Sequence, residues 1–162
     1  MIRTTQSQLR AIGTTHSFNE IADTDGVQLN MKFFNEIKVD KDSETVTFGA
    51  GVTLSMLIGM LESHEMAIPI LPSLPHINVV GAVVTGTHGG STTQKQLASL
   101  VTAMRLVDPD GNIKVLDKES PDFNHYLHAF GLLGVITEMT MKIEPEFAVL
   151  KCIYEDLSWD FL

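Results

Sequence analysis

The 162-residue sequence predicts an α+β fold, and three observations carry that prediction. Strand-type segments outnumber helical ones. Several strands are joined as hairpins, without the regular strand–helix alternation of a doubly wound parallel sheet. The composition is that of a folded chain, with 44% apolar and 19% charged residues. A chain of this length buries about 70% of the surface its unfolded form exposes, enough for a real core.

The elements follow in order. Leu9 to Ile12 reads as a short strand ending at Gly13, and Val27 to Met31 as a second strand after the Asp23-Thr24-Asp25-Gly26 turn. Ile37-Lys38-Val39 and Thr45-Val46-Thr47-Phe48 alternate with period two around the Asp40-Lys41-Asp42-Ser43 turn, which is a hairpin pattern. Leu54, Leu57, Ile58 and Leu61 fall at i, i+3, i+4 and i+7, one face of a helix of about three turns, with Thr53 as its N-cap. Met104 to Val107 and Ile113 to Leu116 flank Asp108-Pro109-Asp110-Gly111, whose Pro and Gly suit a tight turn. Ser120-Pro121-Asp122 opens a further helix with stripe Phe123, Tyr126, Leu127 and Phe130, stopped by Gly131. Val135 to Ile143 reads as a strand that ends before Pro145.

Composition narrows the function. A net charge of −9 argues against nucleic acid and anionic membrane as main partners, because both require clustered Lys and Arg. The single cysteine, Cys152, forms no intrachain disulfide and favours a reducing compartment, so the expected location is cytoplasmic. The opening MIRTTQSQLR has no apolar h-region, so no signal peptide is expected. The apolar stretch Met66 to Val84 is broken by three prolines, His76 and Asn78 and cannot span a bilayer, so membrane association is not encoded in this chain.

Several catalytic and nucleotide motifs fail. Gly49-Ala50-Gly51 begins like a dinucleotide fingerprint, but Leu54 stands where the third glycine belongs. There is no Walker A sequence and no G-x-S-x-G elbow. His64-Glu65-Met66-Ala67-Ile68 lacks a second metal-binding histidine. His125 and His128 share a helix face, but no Cys, Asp or Glu nearby completes a ligand set, so they read as surface residues.

Three segments survive. Gly13-Thr14-Thr15-His16-Ser17-Phe18 follows a strand and presents N–H and O–H donors suited to a phosphate-bearing ligand; as a bland alternative it is a polar turn with a surface histidine. Pro72-Ser73-Leu74-Pro75-His76-Ile77-Asn78-Val79-Val80-Gly81 is stiffened by two prolines. Asn78 can cap a helix from Val79, and Gly81 leaves room for a ligand, although a rigid connector or a β-branched strand also fits. Thr85-Gly86-Thr87-His88-Gly89-Gly90-Ser91 permits close approach of backbone to an anion, or is a plain hinge. Together the three supply the donor-rich loops that a dinucleotide pyrophosphate needs.

These segments, with Ile21-Ala22-Asp23-Thr24 and Gly131-Leu132-Leu133-Gly134-Val135-Ile136-Thr137, resemble the FAD domain of the vanillyl-alcohol-oxidase (p-cresol-methylhydroxylase, PCMH-type) flavoproteins, nearest the alditol oxidase and sugar-1,4-lactone oxidase branch. The resemblance runs from about Arg10 to Pro145. It implies an FAD-binding domain at 1–148, with 149–162 opening a substrate domain, Leu150 to Tyr154 being its first strand. It implies FAD joined covalently through His16 to the 8α-methyl of the flavin ring. Ser73 would lie near flavin and substrate as a catalytic residue. Cofactor contacts would come from Gly13, Thr14, Thr15, Ser17, Ser73, Asn78, Gly81, Thr85, Gly86, Thr87, His88, Gly89 and Ile136. Asn78 stands where family members often have Ser or Thr.

The activity so implied is oxidation of a CH–OH group of a polyol or sugar lactone, with hydride passing to flavin N5 and dioxygen reduced to hydrogen peroxide. Measured against the family, an N-terminal βαβ unit and the C-terminal substrate domain are expected to be missing, and no position matches the substrate-handling Glu and Arg. A catalytically inactive FAD-binding fragment is therefore the alternative, and a generic nucleotide-binding module without flavin is a third reading.

Overall fold

The computed structural model describes residues 2, 7–93, 95–156 and 158–161, so the outermost residues of the two expected segments, 1 and 162, lie outside it. Its centre is a five-stranded antiparallel sheet of order β3-β4-β8-β6-β7, formed by β3 (Ile37–Asp40), β4 (Thr45–Gly49), β6 (Val101–Val107), β7 (Ile113–Asp117) and β8 (Val135–Lys142). Beside it, β1 (Leu9–Ile12) and β2 (Val27–Asn30) pair in parallel, joined through a 3-10 turn at Glu20–Ala22. A third, two-stranded sheet joins β5 (Met66–Ala67) to β9 (Glu144–Pro145). Three short α-helices, α1 (Leu54–Glu62), α2 (Val79–Val84) and α3 (Phe123–Leu127), and 3-10 turns at Leu97–Leu100 and Trp159–Phe161 complete the described elements. The α+β expectation holds.

Local chemistry explains most of these elements. In the β3–β4 turn the Asp40 carboxylate accepts the N–H groups of Asp42 and Ser43, at 3.0 and 3.1 Å, an Asx turn that sets the hairpin. Along β4 the alternation puts Val46 and Phe48 fully inside. Thr53 caps α1, its Oγ1 accepting from Met56 N at 3.4 Å. Leu54, Leu57 and Leu61 are buried and Ile58 is half-buried, the stripe read from spacing. In the β6–β7 turn Asn112 N donates to the Asp108 carboxylate at 2.8 Å, and Gly111 takes the left-handed conformation (φ +77°) its position requires.

Four expectations are corrected. Ser120 does not cap α3; its hydroxyl donates to the Asp117 carboxylate at 2.9 Å, and the helix begins only at Phe123. Phe130 falls outside α3, at φ +52°, and is half exposed. Asn78 precedes α2 as expected but makes no side-chain cap bond, because its amide is held elsewhere. The helix itself forms despite its β-branched run. Val79, Val80, Ala82, Val83 and Val84 are all buried, and that burial outweighs an intrinsic penalty of a few tenths of a kcal/mol per residue. Residues 150–156 carry no strand, and Leu150, Ile153 and Tyr154 are exposed. No helix among the described residues is long and apolar enough to cross a membrane.

Phe48 is 1% exposed in a strand flanked on both sides, so Phe48→Ala should cost about 3–5 kcal/mol and lower the urea midpoint correspondingly. A second expectation concerns pH. The Asn112 N–H, and then the Lys114 ammonium at 3.7 Å, hold the Asp108 carboxyl below its usual range. The Tyr126 hydroxyl at 3.0 Å, with Asp108, raises Lys114. The carboxylate therefore adds stability above the ordinary carboxylate range, lost as pH falls through its lowered value; the ammonium adds stability that is lost only as pH rises through its raised value. Asp108→Asn should flatten the acid limb of a plot of urea midpoint against pH, and an unchanged limb would refute this.

Candidate functional site: a donor-rich cleft

The strand ends deliver the three segments to one place. A cleft of about 540 Å3, within the range of small-molecule sites, lies between the loop after β1, the segment 72–78, α2 with the loop beyond it, and the start of β8. Gly13, Thr14, Thr15, His16, Ser17, Ser73, Asn78, Gly81, Thr85, Thr87, His88 and Ile136 all line it. Gly86 and Gly89 do not. Gly86 instead makes the left-handed turn (φ +72°) that leads out of α2, and Gly89 offers its carbonyl to the His88 ring at 3.0 Å.

Each wall is positioned by identifiable bonds. The carbonyls of Pro75 and Ile77 accept from Ser55 N and Leu54 N at 2.7 and 3.0 Å, so the first turn of α1 holds segment 75–77. Val79 N donates to Val52 O at 3.0 Å. The Asn78 amide, 7% exposed, donates through Nδ2 to the carbonyls of Ala50 and Val52, at 3.4 and 3.3 Å. Two carbonyls on one side fix which way the amide faces, and Oδ1 turns toward Gly13. A Cβ at Gly13 would collide with that oxygen, so only glycine lets the loop after β1 close onto Asn78. Thr15 sits at φ +55°, uncommon for a β-branched residue, and this turns the chain so that His16 and Ser17 border the cleft. His16 itself is exposed, with its ring edge-on to Phe18 (5.4 Å) and to His76 (4.9 Å).

The electrostatics fit an anionic ligand with hydroxyl groups. Among the described residues the lining contains no carboxylate, although the chain carries −9, and Arg10 is a permanently charged member of it. Buried side-chain polar atoms without a partner among the described residues are Arg10 Nε and Asn78 Oδ1. Both belong to lining residues, one a donor and the other an acceptor. An unpaired buried polar group costs about 1–3 kcal/mol, so the Asn78–Gly13 joint is held by the two bonds of Asn78 Nδ2 and not by its Oδ1. Gly81, on the cleft face of α2, has no atom within 4 Å of where a Cβ would stand, so the space above it is open to the cleft.

Sequence reasoning missed Arg10, Met31, Ala50 and Phe130 among the lining residues. For Arg10 a signal existed: a cation inside an apolar strand, next to the glycine loop of an acidic chain. Met31 and Ala50 carry no chemical signal and reach the cleft only through tertiary packing.

A donor-rich, carboxylate-poor cleft of this kind on a mixed α+β scaffold suits a phosphate-bearing ligand, and comparison with known proteins specifies the class of domain. The profile of the FAD binding domain family matches residues 1–117, and the chain belongs to that family. The chain is 39% identical over 145 residues to the alditol oxidase of Streptomyces sp., covering 88% of this chain and 35% of that protein. It is 30% identical over 154 residues to the L-gulonolactone oxidase of Mus musculus, covering 93% and 35%. The chain thus spans about a third of the length of these relatives. Among solved structures, Physcomitrella patens BBE-like 1 superposes with a TM-score of 0.75 at 19% identity, covering 86% of this chain and 32% of that one, a likeness of fold.

Two glycines should separate binding from folding. Gly81→Val should weaken FAD binding at least tenfold, read by quenching of flavin fluorescence, while the FAD-free thermal midpoint is kept or raised, because a glycine leaves a helix interior. Gly13→Ala should lower both, because its methyl group displaces Asn78.

Proposed function

We propose that this chain is the cofactor-carrying domain of an FAD-linked oxidase acting on CH–OH groups of a polyol or a sugar-1,4-lactone. The observation that carries the reading is the convergence of the His16 loop, the Ser73 segment and the Thr85–His88 loop on one carboxylate-free cleft. The names of the relatives, alditol oxidase and L-gulonolactone oxidase, support the substrate class. When bound, FAD would supply the redox chemistry, two-electron transfer from the CH–OH carbon to dioxygen, with the carbon's hydride and the hydroxyl proton together accounting for the two hydrogens of the hydrogen peroxide formed.

The chain's own residues hold and orient that group. Gly13, Thr14, Thr15 and Ser17 line the cleft around the attachment residue His16, whose bond to the 8α-methyl would prevent loss of the cofactor. Ser73 borders the same cleft and is the residue assigned to the reacting side of the flavin. The Thr87 hydroxyl and the His88 end of the loop Thr85-Gly86-Thr87-His88-Gly89 are the part left for the pyrophosphate, which Arg10 helps to neutralise, because the Thr85, Gly86 and Thr87 N–H groups already donate to the Gly81, Val83 and Ala82 carbonyls of α2. Asn78, Gly81 and Ile136 form the remaining walls. A cytoplasmic location accords with the unpaired Cys152.

The test is direct. Purified chain supplied with FAD is precipitated in acid, and the pellet is examined for flavin fluorescence. Flavin should stay with the wild-type pellet and wash out of His16→Ala. Flavin that washes out of both would remove the covalent assignment. Peroxide release with a polyol or an aldonolactone then measures turnover, and retained flavin without peroxide would assign cofactor binding alone.

A further inference from the structure

We propose that His76 is a positioning residue for His16: it fixes the ring orientation and the proton position of that side chain, and so sets how readily His16 bonds to the cofactor. The proposal rests on the reading of His16 as the attachment residue and adds a second histidine to it. His76 lies sixty residues away in sequence, yet its Nε2 stands 3.5 Å from His16 Nδ1, with the ring planes at 85°.

The two histidines differ in how they are held. His76 sits between Pro75 and Ile77, whose carbonyls are both bound by the first turn of α1. It is therefore mounted on a stiff support. His16 sits in the loop after β1, exposed and beyond a residue with strained backbone. An exposed imidazole on such a loop would sample several rotamers, and bond formation requires one of them. Phe18 and His76 both pack edge-on against its ring and restrict that freedom, but only His76 offers a nitrogen. One hydrogen bridges an N···N contact, so the tautomers of the two rings are coupled: one donates and the other accepts. This is the role that hydrogen-bonded partners play for metal-binding histidines, where their loss costs about 10- to 100-fold.

The step so assisted balances as follows. The His16 N–H and one C–H of the ring methyl are broken, one N–C bond forms, and the two hydrogens with their electrons pass to dioxygen as hydrogen peroxide. His76 takes no net part. It holds the attacking ring and defines which nitrogen carries the proton.

The experiment uses three substitutions in the whole 162-residue chain. His76→Ala removes ring and nitrogen, His76→Phe keeps an edge-on ring without nitrogen, and His76→Gln keeps a hydrogen-bonding group. The rate at which added FAD becomes acid-stable is followed, together with non-covalent FAD affinity and the imidazole 15N shifts of His16 in FAD-free protein. We expect the Ala and Phe variants to bind FAD normally but to attach it at least tenfold more slowly, with partial rescue by Gln. The His16 shifts should change from one dominant tautomer to a mixture in Ala and Phe. Wild-type attachment rates in all three variants, or Phe behaving as wild type, would overturn the proposal. So would His16 shifts unchanged by His76→Ala. If the wild-type chain attaches no flavin while the His16 shifts still depend on His76, the attachment reading fails and the coupling of the two rings stands.

Discussion

One buried amide carries the geometry on which the cleft depends. The Asn78 Nδ2 group ties the start of α2 to the carbonyls of Ala50 and Val52, at the exit of β4, and Oδ1 meets the loop after β1 at Gly13. Three segments far apart in sequence are located relative to one another by this side chain and by a glycine that makes room for it. The backbone bonds from Leu54 to Ile77 and from Val79 to Val52 reinforce the same joint. An amide suits the task because it has donors and an acceptor on opposite sides: the donors are consumed by the Ala50 and Val52 carbonyls, and the acceptor side packs, buried, against Gly13.

The antiparallel sheet is the platform behind that joint. Strand β8 pairs with both β4 and β6, and the cleft is bordered by Gly134, just before it, and by Ile136 at its start. A Cβ at Gly134 would stand 2.7 Å from Val107 O, so the loop reaches β6 only through a glycine. Mounting the loops on a packed sheet gives them fixed relative positions, and beyond α2 the N–H groups of Thr85, Gly86 and Thr87 are spent on α2 carbonyls to hold that loop in place. Charge is partitioned in the same sense. Among the described residues the lining of a chain that carries −9 holds no carboxylate, so an anionic group entering the cleft would meet Arg10 and neutral side chains instead of the general field.

Where local preference and tertiary packing disagreed, packing prevailed. The run Val79-Val80 and Val83-Val84 favours a strand by propensity, but it forms a helix because nearly every side chain is buried when it does. Ser120-Pro121-Asp122 reads as a helix start, yet Asp117 takes the serine hydroxyl, and α3 begins one residue after Asp122. The β5–β9 pairing has no sequence signature, since two residues on each side are too few to show a period. Leu54, Leu57, Ile58 and Leu61 were legible because an amphipathic face repeats over several turns. The two hairpins were legible because Asp, Pro and Gly define their turns locally.

By itself, the sequence determined the α+β class, the hairpins, the α1 stripe and the three segments from which the cleft is made. Each of these is written in contiguous residues, as a period, a turn or a cluster of hydroxyl groups and glycines. Only the tertiary structure decided that those segments meet. It brought Arg10 and Ala50 to the same wall, turned the Asn78 amide away from its helix, and stood His76 against His16. Those outcomes depend on distances between residues tens of positions apart, which are set by how the sheets and helices pack and not by any local pattern.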